Sequence, residues 1–320
     1  MSEHILQNLI LTENGRWVDM KDIIPEEDSG YMFHWIHLHR ESLGTQKWLF
    51  QQDIDELIIE SLTDEDTRPR TTVFPDGILL NMRAVNVSKG EQPYEMLSMR
   101  IFMQKNRIIS TSLKNIHVIK DILEVINGHS PPESKGDFLA YVIELITDRI
   151  EAYIAEKKDW IFDFECHVID HTALGKQNVI SDIRRSSVTY TRYLSPQKDA
   201  LVKLISLKEN IFNEDDRAAV VECINNTSRY LEDLEAITNR CHIIKDDLNA
   251  VAAEKMNKNM YLLSIMTAVF LPLSFLTGLL GVNLGGIPGA GSSEGFTIFS
   301  IILAVVLVTQ IIILKISKRF

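Results

Sequence analysis

Asn257, Met260, Ser264, Thr267, Leu271, Ser274 and Gly278 recur at alternating spacings of three and four. On a helix that spacing puts all seven on one face. The stripe mixes an amide, hydroxyls, a small residue and bulky apolar groups. Its oxygens suit hydrogen bonding to the water shell of a cation. A divalent ion stripped of water would want His, Cys, Asp or Glu, and the stripe has none. Met260 and Leu271 have the bulk to close a narrow path by dewetting. Pro272 removes a backbone hydrogen bond and leaves the Ala268 carbonyl without its usual partner, which makes a flexing point. Ser, Thr and Gly at this spacing also suit a tight helix–helix seam in a membrane. On spacing alone both readings stand. Gly281-Val282-Asn283 ends the stretch. Asn283 offers one amide carbonyl per copy to a ring at a path's mouth, and the glycines at 281, 285 and 286 permit the tight backbone of a helix exit. Without further context, a helix stop is the simpler reading of the tripeptide.

The elements that must position these residues follow from charge. From Asn259 to Ser293 no Asp, Glu, Lys or Arg occurs; Glu294 interrupts, and Gly295 to Leu314 is again uncharged. Each run reaches the roughly 20 residues that cross a bilayer as a helix. Lys255 and Lys258 precede the first run, and Lys315, Lys318 and Arg319 follow the second. The positive-inside rule places both ends in the cytoplasm and the Glu294 loop outside. Two helices cannot enclose an ion path, so a pore requires several copies around an axis. The start, Met1-Ser2-Glu3-His4, lacks the apolar core of a cleaved signal peptide. The net charge of −11 belongs to the soluble part and argues against nucleic acid as a partner. It suits a body that handles cations, as it also suits simple solubility. Cys166, Cys223 and Cys241 are too few and too scattered for a disulfide framework.

The soluble body begins as mixed α and β. Tyr31 to His39 is rich in aromatic and β-branched residues, as a half-buried strand is. Thr71–Phe74, the turn Pro75-Asp76-Gly77 and Ile78–Arg83 read as strand, turn, strand, and Leu97–Met103 with Arg107–Ser112 repeat the theme. Helical patterns at Gln51–Leu62 and Ile116–Ile126 suggest a helix-covered sheet. Gly128-His129-Ser130-Pro131-Pro132 marks a break. Thereafter the chain reads as helix: Asp137 to Asp170, then Asn178 to Leu207 with a kink or interruption at Pro196. Asn213 is an expected N-cap with Glu214, Asp215 and Asp216 behind it. No proline follows until Pro272 and no glycine until Gly278, which predicts one helix of roughly 100 Å running from the body into the first span. Its apolar positions Val220, Cys223, Ile224, Leu231, Leu234, Ile237 and Cys241 have the spacing for packing.

Other metal-ligand candidates are Cys166-His167 with His171, and Cys241-His242. Adjacent residues on a helix point apart, so each pair needs help from other helices or copies. His34, His37 and His39 share a strand-like run without an acidic or Cys partner nearby. Asn225-Asn226-Thr227 matches a glycosylation acceptor on what reads as a cytosolic helix. No phosphate-binding glycine loop, HExxH or nucleophile elbow supports an enzyme. A membrane-tethered sensor, with spans that only anchor and oligomerise, is a third class.

The run from Phe270 to Gly289, FLPLSFLTGLLGVNLGGIPG, together with Leu194-Ser195-Pro196-Gln197-Lys198-Asp199, resembles the CorA metal ion transporter family in its zinc transport protein ZntB branch. In that branch Val stands where the family's signature Gly-Met-Asn has Met, as Val282 does here. The resemblance implies an α+β membrane protein: an N-terminal cytoplasmic αβα domain, a long stalk helix continuous with the first of two C-terminal transmembrane helices, and a funnel-shaped homopentamer. It implies Asn283 at the pore entrance and the stripe from Asn257 to Gly278 along the pore. It also implies Zn²⁺ uptake across a bacterial inner membrane driven by the proton gradient, with Zn²⁺ as cargo rather than prosthetic group. A cytoplasmic zinc site and a CorA-like Mg²⁺, Co²⁺ or Ni²⁺ channel remain alternatives. The expected layout is an α/β part at 1–128, a helical part at 129–212, the stalk at 213–258, spans at 259–281 and 296–314 around an outer loop at 282–295, and a basic tail at 315–320.

Overall fold

The computed structural model describes residues 4–21, 23–25, 30–65, 67–85, 96–113, 117–169, 177–208, 211–282, 287 and 291–317. Five strands lie where alternation and turn residues place them: β3 (Tyr31–His39), β4 (Arg70–Phe74), β5 (Gly77–Val85), β6 (Met96–Gln104) and β7 (Arg107–Ser112). Gly77 opens β5 where a Cβ would lie 2.1 Å from the Met103 carbonyl oxygen, so the hairpin admits glycine there. Two further strands, β1 (Ile5–Thr12) and β2 (Trp17–Asp19), extend the sheet beyond the sequence expectation, which began at Tyr31. β1 hides in the sequence because Gln7 and Asn8 interrupt its apolar pattern. Asn8 is nevertheless buried and donates to the carbonyls of Lys21 and Ile23, at 2.9 and 3.0 Å.

The seven strands run β2-β1-β3-β7-β6-β5-β4. Among the described pairings only β3 with β7 is parallel, His34 opposite Arg107 through His39 opposite Ser112. Helices cover both faces, so strands such as β5 are buried almost continuously rather than in alternation. On one face, α1 (Leu43–Gln51) and α2 (Glu56–Thr63) pack Trp48, Leu49, Ile58, Ile59 and Leu62 with Ile36, Leu38, Leu79, Phe102 and Ile109. On the other, α3 (His117–Ile126), α4 (Lys135–Ile169), α5 (Gln177–Ile205) and the first turns of α6 (Glu214–Gly281) pack with Phe33, Trp35, Leu80, Met99 and Ile101. This is an αβα body, as expected.

Two helical expectations change. The helix expected over Gln51–Leu62 begins only at Glu56, and Gln51 is the last residue of a separate helix, α1. Asp53 takes a left-handed φ of 55°, and the Asp55 carboxylate accepts from the Leu57 N–H at 2.8 Å to cap α2. Pro196 does not interrupt α5. The turn around it is held to the sheet: the Gln197 side chain accepts from the Arg83 N–H at 2.8 Å, and the Ala200 carbonyl accepts from the Thr71 hydroxyl at 2.6 Å.

α6 is a single helix of 68 residues. Asn213 caps it reciprocally: its side chain accepts from the Asp216 N–H at 2.7 Å, and the Asp216 carboxylate accepts from the Asn213 N–H at 3.3 Å. Its early part buries Val220, Cys223, Thr227, Tyr230, Leu234, Ile237 and Cys241 in one row. Ion pairs Arg229–Glu151, Lys158–Asp233 and Arg240–Glu165 link it to α4. These are solvent-facing and add little beside the apolar row. The chain divides into two compact units, Met1–Lys245 and Asp246–Phe320, and α6 contributes to both. The second unit also holds α7 (Gly295–Ser317). The uncharged part of α6 and the whole of α7 are long and apolar enough to cross a membrane.

Candidate ion path along the first span

The seven stripe residues, Asn257, Met260, Ser264, Thr267, Leu271, Ser274 and Gly278, are all exposed on α6, Met260 and Leu271 by 58% and 68%. The half-buried positions of the same stretch are Ile265, Val269, Pro272, Leu273 and Leu276. At 100° per residue these fall on the opposite side of the helix from the stripe. α7 has a half-buried row as well: Gly295, Phe299, Leu303, Val306, Leu307, Gln310 and Leu314. Within this unit α7 is the element available to cover the Ile265–Leu276 face. The stripe therefore does not form a seam between the two spans of one chain. In the single chain it is left exposed.

The hydroxyls differ in what they have left to offer. Thr267 donates back to the Leu263 carbonyl at 2.9 Å. Thr277, off the stripe, does the same to Leu273 at 3.0 Å. The hydroxyls of Ser264 and Ser274 bond to no described residue. They are the stripe groups free to hold water, along with the Asn257 amide. Pro272 lies inside the continuous helix, so the Ala268 carbonyl lacks the N–H that a regular helix supplies. Gly281 ends α6 and Val282 follows it, both exposed. Asn283 lies outside the described residues. The start of α7 is set by Ser292, whose hydroxyl accepts from the Glu294 N–H at 3.3 Å.

The metal-ligand candidates in the body do not come together. Cys241 is buried, and burial pushes its thiol up to about 11, so it stays protonated at neutral pH. His242 next to it is exposed, about 100° around α6. Cys166 and His167 lie on α4, but their side chains and His171 fall outside the described residues. Among the described residues no three His, Cys, Asp or Glu side chains gather to hold a metal ion.

His34 and His37 are core residues. The His34 Nε2 lies 2.5 Å from the Asn8 side-chain oxygen. Burial, then the Arg107 charge, lower its pKa to about 4. His37 Nδ1 and Nε2 lie 2.8 and 3.0 Å from the hydroxyls of Ser110 and Ser112. The Ser112 hydroxyl donates to the Leu113 carbonyl, so Nε2 donates to Ser112 and Nδ1 accepts from Ser110. Both ring nitrogens are satisfied in the neutral form. Burial, then His39, lower this pKa to about 3.

One polar residue of the spans escaped the sequence reading. Gln310 lies on the half-buried row of α7, and its side-chain oxygen is buried without a hydrogen-bond partner. Its signal was present as an amide inside an otherwise apolar run.

The family model described as CorA-like Mg²⁺ transporter protein matches residues 31–319, nearly the whole chain. The chain belongs to this CorA-like family. A relative from Pseudomonas aeruginosa, the divalent cation transporter CmaX, is 35% identical over 278 residues, covering 86% of this chain and 82% of that protein. The zinc transport protein ZntB of Yersinia enterocolitica is 30% identical over 285 residues, covering 89% and 87%. The solved structure of full-length CmaX superposes with a TM-score of 0.80 at 30% identity, over 98% of both chains. Membership in the CorA-like family thus extends across the αβα body, the long α6 and the C-terminal α7.

Proposed function

We propose that this chain is a divalent-cation transporter of the bacterial inner membrane, that five copies surround one central path, and that Zn²⁺ is its cargo in uptake. The observation that carries the reading is the exposed polar stripe of α6, opposite the helix's half-buried face. Around an axis, rings of Asn257, Ser264 and Ser274 would hold the ion's water, and rings of Met260 and Leu271 would narrow the path. Asn283, with Gly281 and Val282, would form the outer entrance. Residues 213–258 would serve as stalk, with both termini in the cytoplasm, as Lys255, Lys258 and Lys315 favour. The zinc assignment draws on Val282 and on the ZntB relative.

A second reading keeps the architecture and replaces the cargo by Mg²⁺, Co²⁺ or Ni²⁺. It is favoured by the oxygen-only polar groups of the stripe, which suit a hydrated hard cation. The deciding experiment is flux into proteoliposomes of the purified protein, comparing Zn²⁺ with Mg²⁺, Co²⁺ and Ni²⁺, with and without a pH gradient. Zn²⁺ entry above protein-free vesicles is expected. Entry of Mg²⁺, Co²⁺ or Ni²⁺ without Zn²⁺ would select the second reading, and no flux of any of the four would leave a sensor whose spans only anchor. Neither span contains Asp, Glu, His, Lys or Arg. Coupling to protons would therefore draw on groups outside the spans, and flux indifferent to the gradient would remove the coupling alone.

A further inference from the structure

When glycine follows asparagine, the glycine nitrogen can attack the side-chain amide before it, because glycine has no Cβ to obstruct the approach. The chain has two such pairs, Asn14-Gly15 and Asn127-Gly128. As sequence they are alike. The fold separates them.

Asn14-Gly15 lies in the turn between β1 and β2, and both residues are exposed. Thr12 holds that turn. Its N–H donates to the Arg16 carbonyl at 2.9 Å, its carbonyl accepts from the Gly15 N–H at 2.9 Å, and its hydroxyl donates to the Arg16 carbonyl at 3.0 Å. None of these bonds uses the Asn14 side chain, which bonds to no described residue. Gly15 has a left-handed φ of 72°, and a Cβ built on it would meet nothing within 4 Å. The Asn14 amide can therefore turn toward the Gly15 nitrogen through open space.

Asn127-Gly128 follows the end of α3 and is also exposed. Here the side chain is held. Its Nδ2 donates to the Leu123 carbonyl at 2.7 Å, and the Asn127 N–H donates to the same oxygen at 3.0 Å. That draws the amide back along the helix, away from the Gly128 nitrogen. The space beside Gly128 is closed as well: a Cβ there would lie 3.1 and 3.2 Å from the Val125 and Glu124 carbonyl oxygens. The Gly128 N–H is bonded to the Val125 carbonyl at 3.0 Å, much as that of Gly15 is to Thr12, so the difference between the sites lies in the side chain.

We propose that Asn14 is a site of spontaneous deamidation in the folded protein, and that the fold protects Asn127. The Gly15 nitrogen loses its proton to water and attacks Asn14 Cγ. The N–Cγ bond forms, the Cγ–Nδ2 bond breaks, and the amide nitrogen leaves as ammonia, taking up the proton. Water then opens the five-membered imide at either carbonyl, leaving aspartate or isoaspartate. Both products add a negative charge to the hairpin. Isoaspartate also lengthens the backbone by one carbon in the turn that joins the edge strand β2 to β1. The reaction consumes only water and does not depend on the transport reading.

The test is peptide mapping by chromatography and mass spectrometry of the full chain aged at pH 7.5, once folded in mild detergent and once unfolded in guanidinium. In the folded protein the Asn14 peptide is expected to gain one mass unit and to split into two products. Its rate relative to the Asn127 peptide should be at least about fivefold higher folded than unfolded, the factor that one net hydrogen bond supplies. Asn14→Gln, whose longer side chain cannot close the five-membered ring, should abolish the product in that peptide. No product at Asn14, the same ratio in both states, or a mass gain that survives Asn14→Gln would overturn the proposal.

Discussion

The two neutral histidines of the sheet make a prediction that depends on pH alone. His34 and His37 have folded pKa values lowered to about 4 and about 3, in each case chiefly by burial. Unfolded, each titrates at its ordinary value of 6.5. Above pH 6.5 both states are neutral and neither residue affects stability. Below it the unfolded chain takes up protons that the folded body refuses, so stability falls as pH falls. Between pH 7.5 and 5, with about 1.4 kcal/mol per unit over the 1.5 units below 6.5, each histidine removes about 2 kcal/mol. Together they remove about 4 kcal/mol, a large part of a typical domain's margin. The assay is urea unfolding of the full chain in mild detergent, followed by tryptophan fluorescence at pH 7.5 and 5. Trp17, Trp35, Trp48 and Trp160 all lie in the first unit, so the signal reports the body. Glutamine at position 37, the variant His37→Gln, does not titrate and should halve the loss, whatever its own cost at pH 7.5. The reasoning fails if the body is equally stable at both pH values, or if His37→Gln leaves the difference unchanged.

Three other perturbations address the body and the path. Gly136→Ala would place a Cβ 2.3 Å from the Ile211 carbonyl oxygen and 2.7 Å from an Asp216 carboxylate oxygen. It should cost at least about 2 kcal/mol in the same urea assay; a loss below 0.5 would mean the α4 and α6 starts yield easily. Asn283→Ala should lower initial cation flux at least tenfold while the oligomer still elutes intact by size exclusion, and normal flux would remove Asn283 from the entrance. Ser274→Leu should block flux if the exposed stripe faces the path, whereas unaltered flux would turn that face toward lipid or a packed neighbour.

Which parts of the fold were legible depended on whether local pattern and tertiary role coincided. Tyr31–His39 reads as a strand because aromatic and β-branched residues fill it, and the body buries it. The span of α6 was equally plain: no breaker intervenes between the Asn213 cap and Pro272, and the helix runs from Glu214 to Gly281. β1 was opaque because Asn8 looks like a surface residue. Its burial is justified by His34 and by the Lys21 and Ile23 carbonyls, which sequence distance conceals. The start of α2 was set too early, and α1 before it went unread, because Gln51 and its successors keep a helical composition while Asp53 adopts a left-handed turn. On the spans, spacing showed that the stripe residues share a face, but not that this face is the exposed one. That followed from exposure. The outer tripeptide was conspicuous in the sequence, and Asn283 remains assigned by it.

The central pairing of β3 with β7 has a consequence for how the chain is made. β1 is already synthesised when β3 emerges and can cover one of its edges. The other edge is completed by β7, about 70 residues later in the chain, which at 5–20 residues per second takes about 4 to 14 s. For that interval a nine-residue segment containing Phe33, Trp35, Ile36 and Leu38 has one open hydrogen-bonding edge. Neighbouring nascent chains on one message carry the same segment in the same condition. The yield of this protein in cells should therefore depend on chaperone capacity and translation rate through residues 40–106, a part of the chain far from either span.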